Sequence, residues 1–108
     1  MSVPAVITGY FKAAGNQDTD AVVALFARDA VVEDEDRSWS GSAGIREWRE
    51  GTATKYEYTT EILGIEPSGG EQYVARVHLQ GNFPGGKVDL KYRFTIAGDR
   101  IARLSIAP

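Results

Sequence analysis

Four carboxylates occupy four consecutive positions in AVVEDEDRSW: Glu33, Asp34, Glu35 and Asp36, directly after an apolar run. A carboxylate held in an apolar pocket can move a proton on and off a substrate carbon, whereas a charge run is ordinarily a solvated face. The distinction rests on direction. If residues 30–36 are extended, Val32, Asp34 and Asp36 point one way and Val31, Glu33 and Glu35 the other, so only alternate acids can face an interior. Other chemistry-bearing residues are sparse. His78 is the single histidine, and strand parity sets it with Arg76 and Gln80 on an outer face, away from the interior where a base would act. Ser38 and Ser40 have no neighbouring histidine to activate them. One histidine and a carboxylate run are not a spaced transition-metal ligand set, so no metal site is expected. Gly69-Gly70 and Gly85-Gly86 open no helix and read as hairpin glycines, not phosphate cradles. No cofactor is expected.

The elements that must position these residues divide the chain in two. Over residues 4–16, Val6, Ile7, Tyr10, Phe11 and Ala14 recur three or four apart, which predicts one apolar helix face, with Pro4 in the first turn and Gly15-Asn16 as the stop. Asp18 is suited to cap a second, short helix whose apolar side is Ala21, Val22, Leu25 and Phe26. A third helix is predicted from about Ser42, with Ile45 and Trp48 inward and Arg46 paired to Glu50 outward. From Tyr56 onward the period changes to two. Residues 71–81 set Tyr73, Ala75, Val77 and Leu79 on one face, and residues 87–96 do the same with Val88, Leu90, Tyr92, Phe94 and Ile96. Turn signals at Ser68-Gly69-Gly70, Pro84-Gly85-Gly86 and Gly98-Asp99 separate these runs as consecutive antiparallel strands. Helices followed by a meander predict an α+β fold, with three N-terminal helices on one face of a curved antiparallel sheet.

Composition narrows the function classes. A chain of 108 residues with 43% hydrophobic residues is sized for one domain, 1–108, with a real core. Twelve basic and fifteen acidic residues give a net charge of -3 without any Lys/Arg block, so no nucleic acid partner is expected. The absence of cysteine removes disulfides, thiolate ligands and a cysteine nucleophile together, and fits a reducing cytoplasm. MSVPAVITGYF has no basic region ahead of a long apolar stretch, and no window has the length of a membrane span; a soluble, cytoplasmic protein without a membrane partner is expected.

The order of elements, together with GYFKAAGNQDTDAVVALFARDAVVED and then SGSAGIREW, resembles the nuclear transport factor 2-like superfamily, and within it the polyketide cyclase (SnoaL-like) and ketosteroid isomerase branch. The likeness covers nearly the whole chain and is best from Tyr10 to Trp48. It implies a cone-shaped α+β fold, a strongly bent sheet wrapped around a long first helix, with an apolar pocket inside. That scaffold serves isomerases, cyclases, dehydratases, epoxide hydrolases and non-catalytic modules, so it fixes no activity. VVED resembles the isomerase segment whose final Asp shuttles the proton, which implies Asp34 as base. The helix-one tyrosine that faces the developing oxyanion in those isomerases matches Tyr10. Their second, protonated acid falls at Leu90 in DLKYRF, and the adjacent Asp89 points to the opposite face. The resemblance is thus incomplete at the oxyanion hole, where Tyr92 could supply a replacement donor.

The expected pocket lining is Phe26, Trp39, Trp48, Ala75, Leu90 and Tyr92, with the two tryptophans at the mouth or, equally, as ordinary core and rim aromatics. Two functions of different class follow. One is a cofactor-independent isomerase- or cyclase-like enzyme that moves a proton on a small apolar carbonyl compound through Asp34 and Tyr10. The other is a module that binds a hydrophobic ligand or dimerises without turnover. The outer sheet face, with Arg76, His78, Asp89, Lys91 and Arg93, could pair two copies as a homodimer.

Overall fold

The N-terminal helices form where the apolar spacing predicts them. In the computed structural model, which describes residues 3–55 and 58–108, α1 (Ala5–Gly15) follows Pro4 and buries Val6, Ile7, Tyr10 and Ala13. Asn16 closes it with an N–H donated to the Lys12 carbonyl at 3.1 Å. In α2 (Thr19–Ala24) the Asp18 carboxylate accepts from the Ala21 N–H at 3.1 Å, which is the predicted cap. Phe26, expected on that helix, instead begins β1 (Phe26–Asp34). The helix cannot continue because the far end of the chain claims its last carbonyls: Arg100 donates to Ala24 and the Ile101 N–H to Leu25, each at 2.9 Å.

β1 turns back into β2 (Arg37–Ser40) through Glu35-Asp36, both with positive φ, 52° and 62°. Two left-handed residues between paired strands make the hairpin geometry that suits the right-handed twist. The strand parity expected through residue 36 therefore ends at Asp34. α3 (Gly41–Lys55) follows, and Arg46, expected to pair with Glu50, ties the helix to α2 through Asp20 at 2.8 Å. The meander is β3 (Tyr58–Gly69), β4 (Gln72–Gly81), β5 (Lys87–Ala97) and β6 (Arg100–Ala107). The predicted onset of period two at Tyr56 lies outside the described residues.

The six strands lie in the order β2-β1-β6-β5-β4-β3. The expected all-antiparallel sheet is in fact mixed, because β6 runs parallel to β1, with Val32 opposite Leu104. After β2 the chain crosses through α3 to the far edge and meanders back, which brings its last strand beside its first in the same direction. Such a pairing of strands distant in sequence leaves no trace in local periodicity. Register shifts at Ile62/Gly64, Pro67/Gly69 and Thr95/Ile96 bend the strands that wrap the helices.

Alternation holds in the meander. Ala75, Val77 and Leu79 on β4 and Tyr92, Phe94 and Ile96 on β5 are buried. The opposite face carries His78 paired with Asp89 at 2.6 Å and Arg76 with Glu66 at 3.3 Å. Around Tyr10 the rings of Phe11, Phe26, Phe94 and Tyr92 pack at centroid distances of 5.2, 6.1, 5.7 and 6.3 Å, mostly edge to face. The architecture is thus α+β, with three helices on one face of a bent sheet, the nuclear transport factor 2-like cone. Among the described residues no helix is long and apolar enough to cross a membrane.

Candidate functional site

Asp34 is the last residue of β1 and shares a face with Ala30 and Val32, both fully buried. It is half-buried at the rim of a cavity of about 410 Å³. The other acids of the run part from it for local reasons. Glu33 points to the opposite face and pairs with Arg103, while Glu35 and Asp36 form the turn, from which Glu35 also borders the cavity. Trp48 reaches Asp34 from α3, its Nε1–H donating to Oδ2 at 3.1 Å. Burial raises the proton affinity of the Asp34 carboxyl above the ordinary carboxylate range, and the charge of Glu35 adds to this; the Trp48 hydrogen bond opposes both.

Tyr10 is 2% exposed, yet it lines the same cavity. Burial holds its phenol far above the usual range, against the lowering influence of Arg49, so the hydroxyl stays protonated and can act as a donor. Tyr92 also lines the cavity, with its phenol raised by burial first and by Tyr10 and Tyr58 next. The hydrocarbon wall includes Leu79, Phe83, Val88, Leu90 and Ile106. Positive φ at Gly85 and Gly86, 88° and 75°, turns β4 into β5 and carries Phe83 and Pro84 to the rim.

Of the residues expected at a pocket, Tyr10, Asp34, Trp48, Leu90 and Tyr92 line this cavity; Phe26, Trp39 and Ala75 do not. Phe26 stands at the opposite end of β1 from Asp34, roughly 25 Å along an extended strand, and packs against the Tyr10 ring. Ala75 is enclosed mid-sheet. Trp39 backs Trp48 at 6.4 Å and sits under the Arg37 guanidinium.

The sequence reading omits Arg49 and Tyr58. Arg49 is 3% exposed and its guanidinium lies 5.2 Å over the Trp48 ring. The Tyr10 and Tyr58 phenols are its polar neighbours and act on its charge. Burial acts to lower its proton affinity, and the surrounding phenols more than offset this, so it stays charged. Helical spacing does carry the signal, since residue 49 lies one turn after Ile45 on the inward face; its charge argues for solvent and masks it. Among the described residues no three His, Cys, Asp or Glu side chains gather as a metal site.

The chain can be compared with known proteins on this basis. Residues 7–104 match the SnoaL-like domain family. No curated protein matches the sequence significantly. A provisionally assigned polyketide cyclase from Sinorhizobium meliloti is 39% identical over 97% of this chain and 95% of its own, with a TM-score of 0.92. A protein with a ketosteroid isomerase-like fold from Catenulispora acidiphila, solved with trimethylamine, is 18% identical over 99% and 87% of the chains (TM-score 0.87). The epoxide hydrolase/cyclase-like enzyme SalBIII, of pyran ring formation in salinomycin, is 21% identical over 94% and 86% (TM-score 0.81). At those lower identities the likeness is one of fold.

Proposed function

As the chain belongs to the SnoaL-like domain family, we propose that its pocket moves a proton on a small apolar carbonyl compound without a cofactor. The observation that carries this reading is the meeting of Asp34 and Tyr10 on one otherwise largely hydrocarbon cavity. In its ionised form Asp34 takes a proton from the carbon next to the carbonyl. The C–H electron pair becomes the enolate double bond, and the negative charge moves onto the carbonyl oxygen, where the Tyr10 O–H meets it. The proton returns from Asp34 to another carbon, which migrates a double bond, or the enolate carbon attacks a second carbonyl of the same molecule and closes a ring, the C=O π electrons moving onto oxygen as an alkoxide that takes the proton back from Asp34. The positive charge of Arg49 acts to lower the Tyr10 phenol's proton affinity, which makes that hydroxyl a stronger donor. A carboxyl whose proton affinity is raised toward neutrality is better matched to such shuttling than an ordinary one.

The experiment is solvent-deuterium exchange and double-bond migration in a model unsaturated cyclic ketone. Asp34→Asn is expected to lower the rate about a hundredfold or more, and Tyr10→Phe, which keeps the ring packing, by a similar factor. Exchange that is absent in the parent protein, or indifferent to Asp34, would turn the reading to ligand binding without turnover. Leu90 supports that second reading, since hydrocarbon lines the pocket where the isomerases carry their second acid.

A further inference from the structure

We propose that Trp39 is a positioning residue of the site: its ring holds the Arg37 guanidinium and so keeps that cation from forming an ion pair with Asp34. The inference deepens the proton-transfer reading and rests on it for its purpose, since it names what leaves the base of that reading unpaired. Its readout is a titration, which requires no turnover.

It starts from the hairpin that the acid run makes. β1 and β2 pair antiparallel, with Asp34 opposite Arg37 and Val32 opposite Trp39. Residues directly opposite one another project from the same face, their Cβ atoms about 5 Å apart. Opposite charges so placed favour a cross-strand ion pair, and an arginine beside an aspartate makes it a weaker base. Here that pair is not made. Among the described residues the ion pairs are Arg46 with Asp20, Arg76 with Glu66, His78 with Asp89 and Arg103 with Glu33, and none joins Arg37 to Asp34. Arg37 turns along its own strand to Trp39, two residues on and therefore on the same face, where its guanidinium carbon lies 5.1 Å from the ring centroid. An exposed stack of this kind and an exposed ion pair are worth similar amounts, so the presence of the ring decides which of them Arg37 makes.

A second observation concerns what fixes the ring. Trp48 packs against it with centroids 6.4 Å apart and planes tilted by 42°. α3 lies directly on the backbone beneath: a Cβ at Gly44 would stand 3.4 Å from the Trp39 carbonyl carbon and 3.5 Å from its Cβ, so the helix meets β2 there through a residue without a side chain. Held between α3 and Arg37, the indole cannot swing aside and release the cation toward Asp34. The other charged or titratable groups facing Asp34 are Glu35 from the turn, Arg49 from α3, Tyr10 from α1, Tyr58 from β3 and Tyr92 from β5. Glu33 faces away, to Arg103. With Arg37 diverted, burial prevails at Asp34 over the Trp48 hydrogen bond and the charge of Arg49.

The test is carboxyl NMR titration of Asp34 in the full chain. In Trp39→Leu the freed guanidinium should pair with Asp34 and lower its pKa by about 1 pH unit or more. In Trp39→Leu combined with Arg37→Gln the fall should vanish, and Arg37→Gln alone, with the ring in place, should leave Asp34 as in the parent protein. If Trp39→Leu does not fold, Trp39→Phe, whose ring holds a guanidinium more weakly, should give a smaller fall with the same dependence on Arg37. The sign separates this role from a merely structural one, because loosening Trp48 would remove a hydrogen bond to the charged form and raise the Asp34 pKa. An unchanged or raised pKa in the folded Trp39 variant, a fall that persists without Arg37, or a rise in Arg37→Gln alone would each overturn the proposal. Exchange and titration are separate readouts. Absent exchange with the expected pattern of titrations fails the proton-transfer reading alone, and preserved exchange with an Asp34 titration indifferent to Trp39 fails this one.

Discussion

The indole N–H of Trp48 donates to the Asp34 carboxylate at 3.1 Å, linking α3 to the end of β1. The bond favours the charged form of Asp34 while burial disfavours it, and burial wins. Replacing Trp48 by Phe keeps an aromatic ring and removes the donor. The Asp34 pKa should rise further in Trp48→Phe, and the ascending limb of any Asp34-dependent rate should move to higher pH. Loss of the bond and of packing volume should cost about 1–3 kcal/mol of stability. Carboxyl NMR titration together with urea unfolding checks both parts.

Stability should also depend on Asp34 in a direction opposite to that of a salt-bridged acid. Its folded pKa lies above the ordinary value of 3.8, so over the interval between the two the folded state binds more protons than the unfolded chain. Stability from this group is then greatest below the unfolded pKa and declines as pH rises through the folded one. Asp34→Asn should remove that decline. Urea unfolding of the parent and of Asp34→Asn from acidic to neutral pH should give curves that differ in slope within this interval and run parallel above it.

Which parts of this arrangement are legible in the sequence follows from what sequence patterns encode. The periods of 3.6 and two place Tyr10 on an inward helix face and Leu90, Tyr92 and Phe94 on one sheet face, because burial itself sets those spacings. The direction of Asp34 is legible for the same reason. Three features are not. The parallel partnership of β1 with β6 joins residues some seventy apart, as Glu33 with Arg103 shows, and no local pattern reports it. Glu35 and Asp36 take left-handed conformations without the Asn-Gly signal that announces such a turn. Arg49 sits in the interior against its type, beside the Trp48 ring and phenols from α1, β3 and β5 that are distant in sequence.

The turn offers a test of strain. Asp36 is exposed with φ of 62°, a region that costs a residue with a Cβ about 1–2 kcal/mol. Asp36→Gly relieves that cost and loses part of the gain to the greater freedom of glycine in the unfolded chain. A net stabilisation of about 0.5 kcal/mol is expected, measured as a higher urea midpoint with an unchanged slope. A lower midpoint would mean that the Asp36 side chain contributes to the hairpin more than its conformation costs.

The last prediction uses the hydrocarbon at position 90. Leu90 lines the same cavity as Tyr10 and Asp34, and the family resemblance sets a second, protonated acid at this strand position in the isomerases. Leu90→Asp should therefore bring a carboxyl to the wall, kept neutral by its apolar surroundings and able to donate to a developing enolate oxygen. A single oxyanion donor is worth on the order of a hundredfold in rate, so exchange in a model unsaturated ketone should rise by up to that factor. Burying the polar group should cost about 1–3 kcal/mol of stability, which unfolding curves will register. The decisive comparison adds Asp34→Asn to Leu90→Asp. If Asp34 is the base, the gain disappears in the double variant, because a better oxyanion hole has no enolate to hold. If the gain survives, the new carboxyl is itself moving the proton and Asp34 is only the hydrogen-bond partner of Trp48. A folded Leu90→Asp protein with no gain at all would place the barrier elsewhere and favour binding without turnover.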